Sequence, residues 1–320
     1  MKRSRAVWLI AMPTVVGLAA AGCAHASRSA APLGDHAIQA VDVVARGGGV
    51  FQHPRDAVPS ADGSVIYFTA TTSNGPAVLR VAAAGGAVST LTQGAPLVNP
   101  TGIALSSDSG RIFVADPAEG TGGAIVTLAA TAGPQTPVVV AGTAGRSPRG
   151  LDVVSRGGTD VIYFTGTDPA NGAAGLFTVP ASGGAVDTVA QGSTFTAPDS
   201  VVVASGGTAY VSDQGTGSGR GEVFGVAGGR VMPVLTNLNL GTPGGVTLVD
   251  HDAVLLVSSQ NRGNGSDQVL FLDLATGRTA TASKVIGLNM NSSGGLHAAG
   301  DSAVAAWADT QGTIYRVRFP

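Results

Sequence analysis

A short phrase recurs six times along this chain and constrains its fold more than any single residue does. It reads Pro or Ser, a variable residue, a small residue that is most often Gly, then an aliphatic side chain. It stands as PRDA at 54–57, PTGI at 100–103, PRGL at 148–151, PDSV at 198–201, PGGV at 243–246 and SGGL at 293–296, with successive phrases starting 45 to 50 residues apart. Self-similarity at such a period marks a propeller or solenoid, in which one supersecondary unit cannot bury its apolar faces alone and must stack on copies of itself.

Within a period the same signals return. In the second unit GIALSS at 102–107 reads as an apolar strand, DSG at 108–110 as a turn, and RIFVAD at 111–116 as a second strand. A Gly-rich loop at 117–123 then leads to AIVTLAA at 124–130 and TPVVVAG at 136–142, the third and fourth strands. The third unit repeats the series as GLDVVS, VIYFTG, GLFTVPA and AVDTVAQ. Four short strands per period describe a propeller blade. No stretch combines an amphipathic helical period with caps, so almost no helix is expected. Charged residues make up only 12% of the 320 and Gly supplies 48 of them, against about 25% charged in a typical soluble domain. Both faces of each sheet must therefore be covered, and the turns must be tight.

The ends fix the number of blades. After SGGL only AVAAWAD at 303–309 and TIYRVRF at 313–319 remain, so the last unit lacks its outer strand. IQAVDVVAR at 38–46 is a strand with no unit of its own. The expected fold is all-β: a six-bladed β-propeller of four-stranded antiparallel blades, its ring closed by this N-terminal strand, which completes the last blade and removes an exposed edge.

Residues 1–22 stand apart from the repeats. Lys2, Arg3 and Arg5 precede an apolar run, Ala6 to Leu18, too short for a comfortable membrane span, and small residues follow; this is the anatomy of a secretory signal. The run ends in LAAAGC at 18–23, which resembles the lipobox of bacterial lipoproteins, although that pattern usually places Leu where Ala20 stands. The resemblance implies lipidation of Cys23, the sole cysteine, which as a bare thiol would be a liability in an oxidising compartment. Residues 23–37 have the composition of a flexible tether, and 38–320 form the propeller. The expected location is exported and membrane-anchored, on the periplasmic or outer surface of a bacterial envelope. Loss of the leader takes the formal charge from −2 to −5, a poor footprint for nucleic acid.

The stretch PTGIALSSDSGRIFVADPAEGTGG at 100–123 resembles the NHL-type repeat and is similar to blades of the gluconolactonase-like (regucalcin) and strictosidine-synthase-like propellers. The likeness implies the fold along 38–320 and little about activity, because propellers host many unrelated functions.

In a blade the start of strand one and the end of strand two open on the same face. The variable residue of the phrase supplies one set of rim positions there: Arg55, Thr101, Arg149, Asp199, Gly244 and Gly294. The end of strand two supplies another: Thr71, Asp116, Thr167, Asp213, Ser259 and Asp309. Together they form a polar rim at the channel mouth, open on the side of the two glycines, and this is the expected ligand site. Each set also has a structural reading: Asp116, Asp213 and Asp309 as turn caps, and Arg55 and Arg149 as partners of Asp56, Asp152 or Asp199. Two arginines on one rim would instead suit a carboxylate or phosphate. His53, at the start of blade one, is the one histidine expected to view the channel.

The gluconolactonase-like resemblance implies a divalent cation, calcium or another, in the central channel, held by a Glu, Asn residues and an Asp. Only Asp199, in Pro198-Asp199-Ser200, matches; the Glu position reads Gln52 and the third-unit position reads Arg149. A guanidinium repels a cation that wants several oxygens. No catalytic set and no metal site is therefore assigned, and no cofactor is expected. GTGSGRG at 215–221 has dinucleotide-fingerprint glycines without a following helix, and is read as a loop. The expected function is binding of an envelope protein, peptide or small ligand at the mouth by a monomeric, non-catalytic propeller; the alternative is a lactonase- or esterase-type hydrolase with a divergent metal site.

Overall fold

The computed structural model describes residues 38–131, 133–215, 221–282, 293–299 and 303–319. The leader, Cys23, the tether and most of the 215–221 run lie outside the described residues.

Six four-stranded antiparallel sheets account for the described chain, with no α-helix among those residues. Strand β1 (Ala40–Arg46) comes first. Blade one is β2 (Ala57–Pro59), β3 (Val65–Thr72), β4 (Gly75–Ala82) and β5 (Ser89–Gln93); blade two is β6 (Ile103–Leu105), β7 (Arg111–Asp116), β8 (Ala124–Ala129) and β9 (Val138–Val139). Blade three is β10 (Leu151–Arg156), β11 (Thr159–Thr167), β12 (Ala174–Pro180) and β13 (Asp187–Gln191); blade four is β14 (Pro198–Val203), β15 (Ala209–Asp213), β16 (Gly221–Ala227) and β17 (Arg230–Leu238). Blade five is β18 (Val246–Val249), β19 (Val254–Gln260), β20 (Asp267–Asp273) and β21 (Thr279–Thr281), and blade six opens with β22 (Ser293–Ala298), β23 (Val304–Asp309) and β24 (Thr313–Arg318).

Blade six is completed by β1, which pairs antiparallel with β24 from Ala40↔Arg318 to Arg46↔Thr313 across a bulge at Val43/Ala45. Asp42 accepts from Arg316 Nη2 and Arg318 Nε, both at 2.9 Å, so opposite charges sit at the join. The ring thus closes as the sequence requires, with an N-terminal strand joined to the C-terminal one.

Because each blade is sandwiched between two others, side chains on both faces of a strand are buried, which is why β7 reads RIFVAD with every residue after Arg111 buried. The core is six apolar clusters, one at each blade–blade interface. The scarce aromatics sit in these interfaces: Phe51 packs edge-on to Phe68 at 5.0 Å, Phe195 on Phe224 at 5.7 Å, and Trp307 beside Tyr315 at 6.0 Å. Fully burying one such ring contributes about 1.5–3 kcal/mol.

Candidate functional site

The recurring phrase builds the channel mouth, and a ring of hydrogen bonds explains its form. In blade one Thr69 Oγ1, on the second strand, accepts from Asp56 N (3.2 Å) and donates to Thr101 O of blade two (3.1 Å). Thr165 does the same between Gly150 N (3.0 Å) and Asp199 O (3.0 Å), Ser212 between Ser200 N (3.0 Å) and Gly244 O (2.9 Å), and Ser258 between Gly245 N (2.9 Å) and Gly294 O (3.0 Å). Blade two has Ala115 at that place, and Thr101 Oγ1 reaches Arg149 O (2.8 Å) in its stead. Blade six has Ala308, and Gly295 N donates directly to Arg55 O (2.9 Å). Every carbonyl of the variable position is thereby taken by the preceding blade.

This close approach dictates the third residue of the phrase. A Cβ on Gly102 would run into Arg149 O, one on Gly150 into Asp199 O, and one on Gly245 into Leu296 N, all backbone atoms that cannot rotate away. Two of the six copies carry a side chain there, Ser200 and Asp56, and the Asp56 carboxylate lies where a Cβ on Gly295 would be, so that glycine makes room for it.

Asp56 is the centre of a buried polar cluster that sequence reasoning did not single out. Its Oδ1 accepts from Ala57 N (2.9 Å), while Oδ2 accepts from Ile103 N of blade two (3.0 Å) and lies 2.9 Å from Nε2 of His297 in blade six. Both residues are buried. Burial pulls the His297 imidazole down, but the charge and hydrogen bond of Asp56 and the charge of Asp152 outweigh it, so its pKa lies above the ordinary value. Asp152 bridges blades three and four by accepting from Val153 N (2.8 Å) and Val203 N (2.8 Å), and desolvation raises its pKa. The available signal was register, since His297 and Asp152 both occupy the fifth residue of the phrase.

Asp116 and Asp213 lie at the strand ends where the sequence puts them, with their carboxylates engaged by backbone. Asp116 accepts from Val98 N (2.7 Å), Asn99 N and Ala118 N; Asp213 accepts from Thr196 N (2.8 Å), Ala197 N and Gly215 N. Each clamps its own turn and the loop that enters strand one. Asp309 accepts from Gln311 N (3.0 Å), and burial raises its carboxyl pKa.

Asp199 is buried, and its Oδ2 accepts from Gly244 N (2.7 Å) and Gln214 Nε2 (2.8 Å). Desolvation raises its pKa to about 6, against the lowering effect of those two bonds and of the Arg149 charge. Gln214 also donates to Gly241 O and accepts from Thr242 Oγ1 (3.2 Å). A cavity of about 480 Å³ opens on the other side of that wall, lined by His53, Arg55, Leu240, Gly241, Thr242, Gln260 and Thr310. These residues come from blades one, five and six, the side where Gly244 and Gly294 occupy the variable position. Main-chain bridges hold the walls: Gln52 pairs with Thr71, and Leu240 with Ser259.

The structure therefore brings His53 and Arg55 into one cavity, sets Asp199 behind its wall, and leaves Thr101 in the hydrogen-bond ring and Arg149 exposed outside the cavity. Arg55 forms no ion pair with Asp56, whose partner is His297 instead. Among the described residues, neither the Arg55 guanidinium nor the His53 ring has a hydrogen-bond or ion-pair partner. The residues present do not fit the divalent cation implied by the gluconolactonase-like resemblance. Asp199 Oδ2 is committed to two N–H donors, Arg149 adds positive charge beside the same carboxylate, and among the described residues no three His, Cys, Asp or Glu side chains converge.

No protein-family model matches the chain, and no curated protein matches it. Among solved structures it is similar to a gluconolactonase from Xanthomonas campestris (17% identity, 88% of this chain and 89% of that one, TM-score 0.60). It is also similar to a TolB-type protein from Agrobacterium tumefaciens (16% identity, 87% and 94%, TM-score 0.58). A third likeness is to a chain of a nidogen–laminin complex (20% identity, 72% and 79%, TM-score 0.55). At these identities the likeness is one of fold.

Proposed function

We propose that this chain is a cell-envelope lipoprotein whose propeller binds an envelope protein, peptide or small ligand at the channel-mouth face without catalysing a reaction. The observation that carries the binding reading is the mouth cavity itself: a polar concavity with fixed walls, into which two side chains project that the fold does not use. Propellers with this architecture include a protein found in a nidogen–laminin complex and a TolB-type protein, which is consistent with a recognition role. The anchor rests on Cys23 and the leader before it.

A photo-crosslinking residue placed at Thr242 should capture a bound molecule in cells, while the same residue at Ser205, in the opposite-face turn of blade four, should not. Equal capture at both sites would count against a mouth site. Metabolic labelling with a palmitate analogue should mark the protein and be lost in Cys23→Ser; labelling that persists would remove the anchor.

The second reading, a lactonase- or esterase-type hydrolase, is favoured by one feature, the Asp199 carboxyl with a pKa near 6 that touches the cavity wall through Gln214. It predicts turnover of lactones or esters that Asp199→Asn abolishes. Wild-type protein without turnover across such a panel rules it out.

A further inference from the structure

We infer that the mouth cavity is an anion site, and that its ligand is a small organic acid or phosphate ester whose charged group docks on Arg55. This rests on the binding reading above and adds the chemical class of the ligand.

The lining carries the argument. Among the described residues that line it, Arg55 and His53 are the ones that can bear charge, both are basic, and none is acidic. Thr242, Gln260 and Thr310 add hydroxyl and amide groups, suited to a ligand that carries hydroxyls beside its charge. A half-buried Arg ordinarily finds a carboxylate within its own protein. Among the described residues Arg55 has none: the neighbouring carboxylate of Asp56 is committed to His297, Ala57 N and Ile103 N. Its fork of donors therefore faces an open, polar cavity, where a carboxylate or phosphate can be gripped by charge-assisted bidentate bonds.

The backbone under Arg55 is fixed from both sides. Arg55 N donates to Thr69 O (3.0 Å) in blade one, and Arg55 O accepts from Gly295 N (2.9 Å) of blade six. Arg149 occupies the same place in its own phrase but is exposed and outside the cavity, so a nonspecific effect of surface charge can be separated from docking. The cavity volume, about 480 Å³, lies in the range of small-molecule sites, roughly 300–1,000 Å³.

The test is calorimetric titration of the purified full chain with citrate, inorganic phosphate and the uncharged polyol sorbitol, using wild type, Arg55→Ala, Arg55→Lys, Arg149→Ala and Thr242→Trp. At least one of the two anions is expected to bind saturably, about 10- to 100-fold more weakly in Arg55→Ala, the factor for losing one charge-assisted pair. Arg55→Lys should fall between, since it keeps the charge and loses the fork; Arg149→Ala should match wild type. Thermal unfolding of Arg55→Ala at the wild-type midpoint confirms that the variant is folded. Sorbitol binding equal to the anions, unaffected by Arg55→Ala but blocked by Thr242→Trp, overturns the anion inference and leaves the mouth site standing. Absence of saturable anion binding overturns the inference, and crosslinking at Thr242 then decides separately on the mouth site.

Discussion

Removing the His297 imidazole should destabilise the whole ring, because Asp56 and His297 join the last blade to the first while Asp56 also holds blade two. Loss of one member of a buried pair leaves the other charge uncompensated, at a cost of about 3–5 kcal/mol. In His297→Ala, Asp56 keeps Ala57 N and Ile103 N as donors, which puts this variant at the lower end, about 3 kcal/mol. Asp56→Asn should cost about 4 kcal/mol, since its NH₂ must face at least one other donor among Ala57 N, Ile103 N and His297. At about 2–4 °C per kcal/mol for a domain of this size, the midpoints should drop by roughly 6–16 °C. The pH dependence has a definite sign. The folded pKa of His297 lies above its ordinary 6.5, so the pair's protonation-linked contribution is present in full below 6.5 and is lost as pH rises through the folded value. Urea unfolding of wild type, His297→Ala, Asp56→Asn and the variant carrying both substitutions, at about pH 5.5 and about pH 8.5, measures both effects. A His297→Ala variant within about 0.5 kcal/mol of wild type at the lower pH would refute the assignment of this pair as a seam.

Three further outcomes follow from the mouth. Gly150→Ala should cost about 3 kcal/mol or more, because its Cβ meets the backbone of Asp199 and Ser200; Gly206→Ala, with nothing within 4 Å and no positive φ, should stay within about 0.5 kcal/mol in the same urea titration. Ser258→Ala strands the buried Gly245 amide and should cost about 1–3 kcal/mol by thermal unfolding. Asp199 has a folded pKa raised from 3.8 to about 6, so it contributes stability below 3.8 that is lost as pH rises through 6. Asp199→Asn should flatten the stability–pH curve in that window by up to about 3 kcal/mol, and an unchanged curve would show that the carboxyl ionises normally.

The blades, their strands and the closure were legible because they depend on alternation and period, which the chain repeats six times. RIFVAD at 111–116 coincides with β7, and the unit-less strand at 38–46 contains β1. The strand-end aspartates were legible as turn caps from local spacing, but their second task was not: Asp116 and Asp213 also hold loops 16 to 18 residues upstream, a reach set by how strand two returns beside strand one. The Asp56–His297 pair spans 241 residues and exists only once the ring has closed. Arg55 and Arg149 look alike in the phrase and differ in the fold, because the cavity is made by Leu240, Gly241 and Thr242, which precede the blade-five phrase and vary with the loop there.

The hydrogen-bond ring explains which residues the phrase leaves open to function. It uses the carbonyl of the second residue, needs a small third residue to admit the next blade, and buries the fourth. The second side chain is therefore unconstrained by the ring wherever no other contact claims it. Thr101 is claimed because Ala115 cannot supply the hydroxyl, and Asp199 is claimed by Gly244 N and Gln214. Glycine at 244 and 294 offers nothing to grip. Arg149 is exposed and outside the cavity. Arg55 remains, with its main chain locked between two blades and its guanidinium unclaimed among the described residues beside a cavity, and a side chain held at its root in this way loses less conformational freedom when a ligand arrives. The break in six-fold symmetry that opens the cavity thus falls where the fold has already fixed the one rim arginine able to use it.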